Sequence, residues 1–502
     1  MWIILISIVL IILLIWQLSQ PYYWKNKNLP HLSSLPIFGS FLPSITLGVS
    51  EFNLSLYKKF PGERFYGLHM FTRPVLFIKD SELVQRILVT DFEYFTSHGL
   101  HGNPEIDPAG GSLFHIYGLE WKEMRAKLSP YFSPAKVKLM LSYADYTLSK
   151  AINVIDKKTI DNKPIEMAQI LMNITTDIIT QAVFGIETDT FENEDSVFSK
   201  IAKEIYKTKV TSRLFISMIS PKLYDLLRIR MLDKEYWIKF ERILKETIEY
   251  RKRDNVRKQD FLQGMMDLME NCDAGMEKKY FPDNTRMPCY DMQTLICQSL
   301  LLYAAGVETS ALTLTYFFYE IAAHPEIQEK CRKEIESVIK QTEDDVDISD
   351  LPKLEYLGAA LQETLRVHAP LTLITRECTK NYKIPETDLI LEKGTLVLMT
   401  PNGSQMDPNY FVEPEKFKPE RFLNGDNITR GTYYPFGIGP RTCLGMGLAN
   451  GEMKLVSAKL LKRYEFTLNS KTDASCGKYY FLKTPANGMW LNVRPLKNRD
   501  YY

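Results

Sequence analysis

An excess of charge of either sign is missing from this chain: 62 lysines and arginines stand against 61 aspartates and glutamates over 502 residues, a formal net charge of +1. That balance excludes the basic footprint of a nucleic-acid binder. Cysteine is sparse as well. Cys272, Cys289, Cys297, Cys331, Cys378, Cys443 and Cys476 are scattered, odd in number and never spaced C-x-x-C. This argues against a zinc site or a disulfide framework and for a reducing compartment. In such a compartment the Asn-x-Ser/Thr sequons, as at Asn173 and Asn427, go unused. Internal repeats and low-complexity linkers are absent too. The chain therefore reads as one large domain behind an N-terminal segment, although its length alone allows about two to four domains.

What is present begins with an apolar run. Residues 2–18 hold thirteen Ile, Leu or Val and no charge. At roughly −0.3 to −0.6 kcal/mol each, insertion into a bilayer is favoured by about 4 to 8 kcal/mol. The first charged side chains after it are Lys25 and Lys27, and the positive-inside rule places the body in the cytosol. The run lacks a basic n-region and a small-x-small cleavage site, so an anchor over residues 1–20 is favoured over a cleaved signal peptide. Its shortness suits the thin bilayer of the endoplasmic reticulum. Within residues 21–40, Pro30 and Pro36 restrict the backbone and read as a stiff hinge, which leaves 41–502 as the body.

Along the body, residues 65–70 and 74–79 alternate like two strands, and Asp80 opens a helical stretch over 81–88. Residues 96–118, rich in Gly, Pro and His, read as a long loop of the kind that carries function. From 121 to about 334 the periodicity is mostly helical, and 291–324 is long enough for a helix of about 50 Å. Residues 389–391 and 395–399, separated by Glu392-Lys393-Gly394, read as a hairpin. Residues 401–440 show no period and read as a packed meander. The class is mainly α with small β-sheets.

One cysteine stands apart from the other six. It lies in Phe436-Gly437-Ile-Gly439-Pro-Arg441-Thr-Cys443-Leu-Gly445, a pattern fixed at six positions that chance delivers on the order of once in 10^5 chains. The plain alternative is a buried, inert thiol. The chemical reading is a haem-thiolate site, since a thiolate pushes electron density onto haem iron and favours O–O cleavage. Gly437, Gly439 and Gly445 let the backbone turn tightly against a flat macrocycle. Backbone N–H groups can tune the sulfur, and Arg441 is placed to meet a haem propionate.

Three further constellations follow. Ala305-Gly306-Val-Glu308-Thr309 sits in the long helical stretch. A mid-helix glycine costs about 1 kcal/mol relative to alanine, and room for a ligand against the bare backbone is one reason to keep it. Thr309 can bond back to the carbonyl of Ala305 or Gly306, and Glu308 with Thr309 can relay protons. Glu363-Thr-Leu-Arg366 puts opposite charges on one helix face. With Arg421 of Pro419-Glu-Arg-Phe it can form a buried triad, assigned to fold and cofactor retention. Trp121 and Arg125 share a face at i,i+4 and can both donate to a carboxylate. Each has a plain alternative: a tolerated glycine beside a solvated glutamate, a surface ion pair, a half-buried tryptophan at a helix start.

Together and in this order, the motifs resemble those of the cytochrome P-450 family over nearly the whole chain. The likeness is to its microsomal branch, most of all to insect members that act on foreign compounds. The resemblance implies the cytochrome P-450 fold, with 41–502 as the haem-thiolate monooxygenase domain and haem b between the long helix and the cysteine loop. It implies Cys443 as the iron ligand. Trp121, Arg125, Arg376 and Arg441 would hold the propionates, and Ala305, Gly306, Phe436, Gly437 and Gly445 would line the cofactor. It further implies that dioxygen would be activated over Gly306, with Glu308 and Thr309 delivering protons. Substrate would meet Phe114, Leu301, Leu302, Thr372, Leu373, Ile374, Thr484 and Ala486, in a large apolar pocket. Electrons would come from NADPH through NADPH–cytochrome P-450 reductase, which faces Lys122 and Lys127, with cytochrome b5 as a further partner. The implied reaction inserts one oxygen atom into apolar small molecules such as plant toxins or insecticides. Two alternatives remain open: a dedicated hydroxylase of an endogenous steroid, hormone or fatty acid, and a ligand-sequestering haem protein without turnover. The chain departs from the family in lacking a dense Pro-Pro-Gly-Pro run near the anchor and in carrying Gln405 where a histidine is usual.

Overall fold

Five helices carry the architecture that matters for the site: α1 (Gly118–Leu128), α2 (Met167–Phe184), α3 (Met292–Ala323), α4 (Glu355–Val367) and α5 (Met446–Arg463). The computed structural model describes residues 22–35, 39–71, 73–193, 196–205, 208–273, 290–342, 345–423, 428–478 and 481–496, with Ser7 and Ile11. The anchor expected over 1–20 lies almost wholly outside them.

The axis of the molecule is α3. Asp291 caps it, its Oδ1 accepting from the Thr294 N–H at 2.8 Å, and it ends at His324. It is apolar and long enough to cross a membrane, but 67% of its most apolar stretch is buried inside the fold. Burial against protein on most sides accounts for an all-round apolar surface. The main core cluster gathers on α2, α3 and α5.

A four-stranded sheet lies to one side, built from β1 (Phe65–Met70), β2 (Arg73–Ile78), β3 (Ile374–Glu377) and β4 (Leu396–Met399) in the order β1-β2-β4-β3. β1 and β2 are antiparallel, with Phe65 opposite Ile78, while β2 and β4 run parallel, with Val75 opposite Leu396. The period-2 pleat divides the side chains between two clusters. Leu76, Ile78, Val397 and Met399 join one, and Val75, Phe77, Leu396 and Leu398 join the other. The hairpin expected over 389–399 does not form. Ile390–Leu391 pairs with Tyr382–Lys383, and β4 pairs with β2 and β3 instead. The physical reason is burial on both faces: all four residues of β4 are covered, and a strand covered on both sides belongs inside a sheet.

Of the segment expected as a hinge over 21–40, Trp24, Pro30 and Leu32 are docked on β1. Trp24 is fully buried and donates from Nε1 to Leu68 O at 2.9 Å. The Gly67 N–H donates to Pro30 O at 2.8 Å, and the Leu32 N–H to Gly67 O at 2.9 Å. Residues 96–118 remain a loop with one 3-10 turn, Pro108–Gly111, but they are anchored. Gln298 of α3 accepts from the Leu113 N–H at 2.9 Å and donates to Gly111 O at 3.1 Å.

Candidate active site

The cysteine loop turns through two left-handed glycines, Gly437 at φ 69° and Gly439 at φ 78°. At Gly439 a side chain would run into Leu88 O, so close approach adds to the conformational demand. The loop closes through Cys443 N–H to Phe436 O and Thr442 N–H to Gly439 O, both 2.9 Å. Gly445 contributes differently from the tight turn expected of it. Its φ is −87°, an ordinary value, and it caps the start of α5. Cys443 lies deep in the protein, yet its side chain is accessible, so the thiol faces an internal opening. Burial raises its pKa, and the Gly445 N–H and the Arg125 guanidinium work against that. The positive end of α5 favours a thiolate in the same way.

Three arginines surround this region without a counter-charge. Arg441 donates from Nε to Thr96 O at 2.8 Å, from Nη1 to Leu113 O at 3.3 Å and from Nη2 to Ile116 O at 2.6 Å. Its guanidinium lies 4.6 Å over the Trp121 ring. Two of its five N–H donors stay available. Burial pushes Arg441 down to about 8, with repulsion from Arg376 and Arg125 adding to it. Arg376 is pushed down to about 9 by burial alone, and its Nε has no partner. Burial lowers Arg125 too, with the Cys443 sulfur opposing. None of the three forms an ion pair among the described residues.

Across the core, α3 presents a second accessible surface. Ala305 is exposed in the middle of the helix, with Leu301, Leu302 and Thr309 partly covered beside it. Thr309 donates from Oγ1 to Ala305 O at 2.6 Å, and Thr313 from Oγ1 to Thr309 O at 2.9 Å. The Thr309 oxygen keeps its lone pairs free to accept from a donor in the opening. Glu308 is buried, its Oε2 has no partner, and burial raises its pKa well above the carboxylate range. Gly306 serves packing on one side, where a Cβ would sit 2.8 Å from Ile179 Cδ1 of α2, while the residue stays partly accessible.

The sequence matches the Cytochrome P450 family over residues 29–491. The chain belongs to the cytochrome P450 family. It is 32% identical over 484 residues to the protein named "Probable cytochrome P450 6a14" of Drosophila melanogaster, covering 94% of this chain and 95% of that one. To "Cytochrome P450 6k1" of Blattella germanica it is 31% identical, over 88% of this chain and 87% of the relative. To "Cytochrome P450 9e2" of the same organism it is 30% identical, over 98% and 97%.

A cytochrome P450 is a haem-thiolate monooxygenase, and the residues present fit the group. Buried guanidiniums that repel one another and lack an anion are costly to fold. Two propionates would relieve that cost, beside a thiol already open to the interior. The α4 lock is assembled. Glu363 and Arg366 are completely buried and joined at 2.7 Å (Nε to Oε2) and 2.8 Å (Nη2 to Oε1), and Arg421 Nε reaches Oε1 at 3.2 Å. Gln405 is buried with it, donating to Leu365 O and Arg366 O.

The expected pocket walls divide. Phe114 is half-buried with its ring 4.6 Å from that of His98. Thr484 is partly covered and Ala486 exposed. Thr372, Leu373 and Ile374 are buried: Thr372 accepts from Asn53 Nδ2 at 3.1 Å, and the two apolar residues pack into the sheet clusters. Lys122 and Lys127 of α1 are exposed. Two histidines of the 96–118 loop were missed. His98 donates from Nδ1 to Phe114 O at 2.9 Å, and His115 Nδ1 lies 2.9 Å from Ser112 Oγ. Burial lowers both, His115 to about 4, so both are neutral. The only signal was that this loop is rich in histidine.

Proposed function

We propose that this cytochrome P450 is a microsomal monooxygenase of broad scope, held on the endoplasmic reticulum by residues 1–20 with its body, 41–502, in the cytosol. Its substrates are apolar foreign compounds, and its electrons come from NADPH through the flavoprotein reductase, with cytochrome b5 as a second donor. The observation that carries the reading is the Cys443 thiol open to the interior beside the buried Arg376 and Arg441 and the half-buried Arg125, none of them in an ion pair among the described residues. The bound haem supplies dioxygen activation and the transfer of one oxygen atom. Cys443 ligates the iron, and Trp121, Arg125, Arg376 and Arg441 hold the propionates. Glu308, kept protonated by burial, serves as the proton donor, and Thr309 Oγ1 accepts and positions that proton at the Ala305 turn. Ala305, Leu301, Leu302 and Phe114 keep water from the reacting centre. Lys122 and Lys127 steer an acidic partner, and that steering weakens with salt.

The test is the reduced, carbon-monoxide-bound spectrum, which carries a strongly red-shifted Soret band when the ligand is a thiolate. Its absence in haem-loaded protein, or its survival in Cys443→Ser, refutes the assignment. Turnover with reductase and NADPH across a panel of apolar compounds then sets the scope. Oxidation of a single steroid or fatty acid alone would identify a dedicated hydroxylase, and no product at all a sequestering protein.

A further inference from the structure

The late turn 482–488, which carries Thr484 and Ala486, is tied to the rest of the molecule in two ways. Its backbone pairs with neighbouring segments: Lys483 N–H to Pro370 O at 2.9 Å, Gly477 N–H to Thr484 O at 2.8 Å, and Ala486 N–H to Ser475 O at 2.9 Å. The second tie is one side chain. Lys483 Nζ donates to Val367 O at 3.1 Å and to His368 Nδ1 at 2.8 Å, and it stands 5.2 Å over the Tyr316 ring of α3. Because Nδ1 accepts, the imidazole proton is on Nε2, which donates to Glu320 Oε1 of α3 at 2.5 Å. The Tyr316 ring stacks on the imidazole at 4.4 Å and 8°. No other polar side chain of the turn reaches α3 or α4 among the described residues. Lys483 also lies deep inside while its side chain is only partly covered, which places it at the edge of an internal opening.

We propose that Lys483 is a specificity-determining positioning residue. Through His368 and Glu320 it pins the turn 482–488 to α3, and so sets the position of the wall that Thr484 and Ala486 present to an apolar ligand. This rests on the reading of the site as a haem-thiolate monooxygenase pocket.

The clamp contains its own titration. Burial pushes Lys483 down to about 8, with Cys476 and Glu320 opposing. Burial pushes Glu320 up to about 7, with His324, Lys483 and Arg366 opposing and Glu363 adding. His368 stays neutral, lowered by burial, Lys483 and Arg366. Above about pH 8 the amine loses its charge and the charge-assisted bond to His368 weakens. The turn is then held by its backbone and by the weaker bonds of a neutral amine to Val367 O and His368 Nδ1.

The experiment uses the haem-loaded full chain and two nitrogen ligands that coordinate haem iron and shift its Soret band. 1-Methylimidazole reports iron access, and 1-benzylimidazole also reports the wall. The ratio of their dissociation constants cancels ligand protonation. In the wild type that ratio changes by about three- to tenfold between about pH 7.5 and pH 9.5, as the lysine discharges. In Lys483→Met it is flat, and at about pH 7.5 it is already displaced from the wild-type value in the direction the wild type takes at high pH. A wild-type ratio that does not move with pH overturns the proposal, and this arm needs no variant to fold. A ratio that moves equally in Lys483→Met overturns it too. If neither ligand shifts the spectrum of the wild type, the haem reading itself fails and the inference falls with it.

Discussion

Replacing Glu363 by alanine removes the centre of the α4 lock. The carboxylate accepts four N–H groups: Arg366 Nε at 2.7 Å, Arg366 Nη2 at 2.8 Å, the Lys418 backbone N–H at 2.9 Å and Arg421 Nε at 3.2 Å. Arg366 is completely buried and holds three more carbonyls, those of Gln405, Pro414 and Lys416. Glu363→Ala therefore leaves a buried guanidinium with no counter-charge. Breaking a buried pair from one side costs about 3 to 5 kcal/mol, against a total stability of about 5 to 15 kcal/mol. The damage reaches the cysteine loop by a short path. Arg366 donates to Gln405 O, Gln405 Oε1 accepts from the Tyr434 N–H at 3.2 Å, and Tyr434 O accepts from the Gly437 N–H at 2.9 Å. Haem loss should thus precede global unfolding. The assay is the urea midpoint at which the red-shifted carbon-monoxide band disappears, read as a midpoint because a bound cofactor breaks two-state behaviour. Glu363→Leu combined with Arg366→Met removes both charges, so it should cost less than Glu363→Ala alone. The reasoning is refuted if Glu363→Ala keeps its haem to within about 1 kcal/mol of wild type, or if the double variant is the weaker of the two.

Three other outcomes follow from single observations. Thr309→Ala loses the hydroxyl that bonds to Ala305 O, and reconstituted enzyme should consume NADPH while releasing peroxide; tight coupling would count against the proton role. Gly306→Ala drives a methyl into Ile179 and should destabilise by about 1 to 2 kcal/mol, with Ile179→Val restoring part of the loss in a double-mutant cycle; additivity of the two changes would show that they do not touch. Glu452 of α5 is completely buried, and burial pushes it up to about 8, with the Ser310 hydroxyl opposing. Its folded pKa exceeds the unfolded one, so the wild type loses stability as pH rises from about 4.5 to 8, and Glu452→Gln should gain about 3 kcal/mol at pH 7 and nothing near pH 4 by urea denaturation.

The parts of the site that could be read from the chain are those whose cause is local. Asp291 and His324 bound α3 because capping is a matter of adjacent residues. Thr309 bonds to Ala305 because helical spacing dictates it. The cysteine loop was legible because positive φ at Gly437 and Gly439 demands glycine at those positions. What the chain did not announce has a non-local cause. Residues 396–399 lost their expected hairpin partner to a strand more than three hundred positions earlier in the chain. Thr372 meets Asn53 far earlier in the chain, and Trp24 meets Leu68.

Gly306 shows what such non-local facts do to a chemical argument. A glycine beside an acid and a threonine invites an explanation in terms of the reaction, and its position in the motif is the same whichever explanation holds. Its missing Cβ points toward Ile179, 127 positions earlier, so the residue lets α2 and α3 approach. That approach gives α3 a firm backing on one side and leaves Ala305 and Thr309 on an accessible one. The glycine would then serve the proposed chemistry by fixing where the helix lies, with the Thr309 hydroxyl on the accessible side and the Glu308 carboxyl next to it in the chain buried.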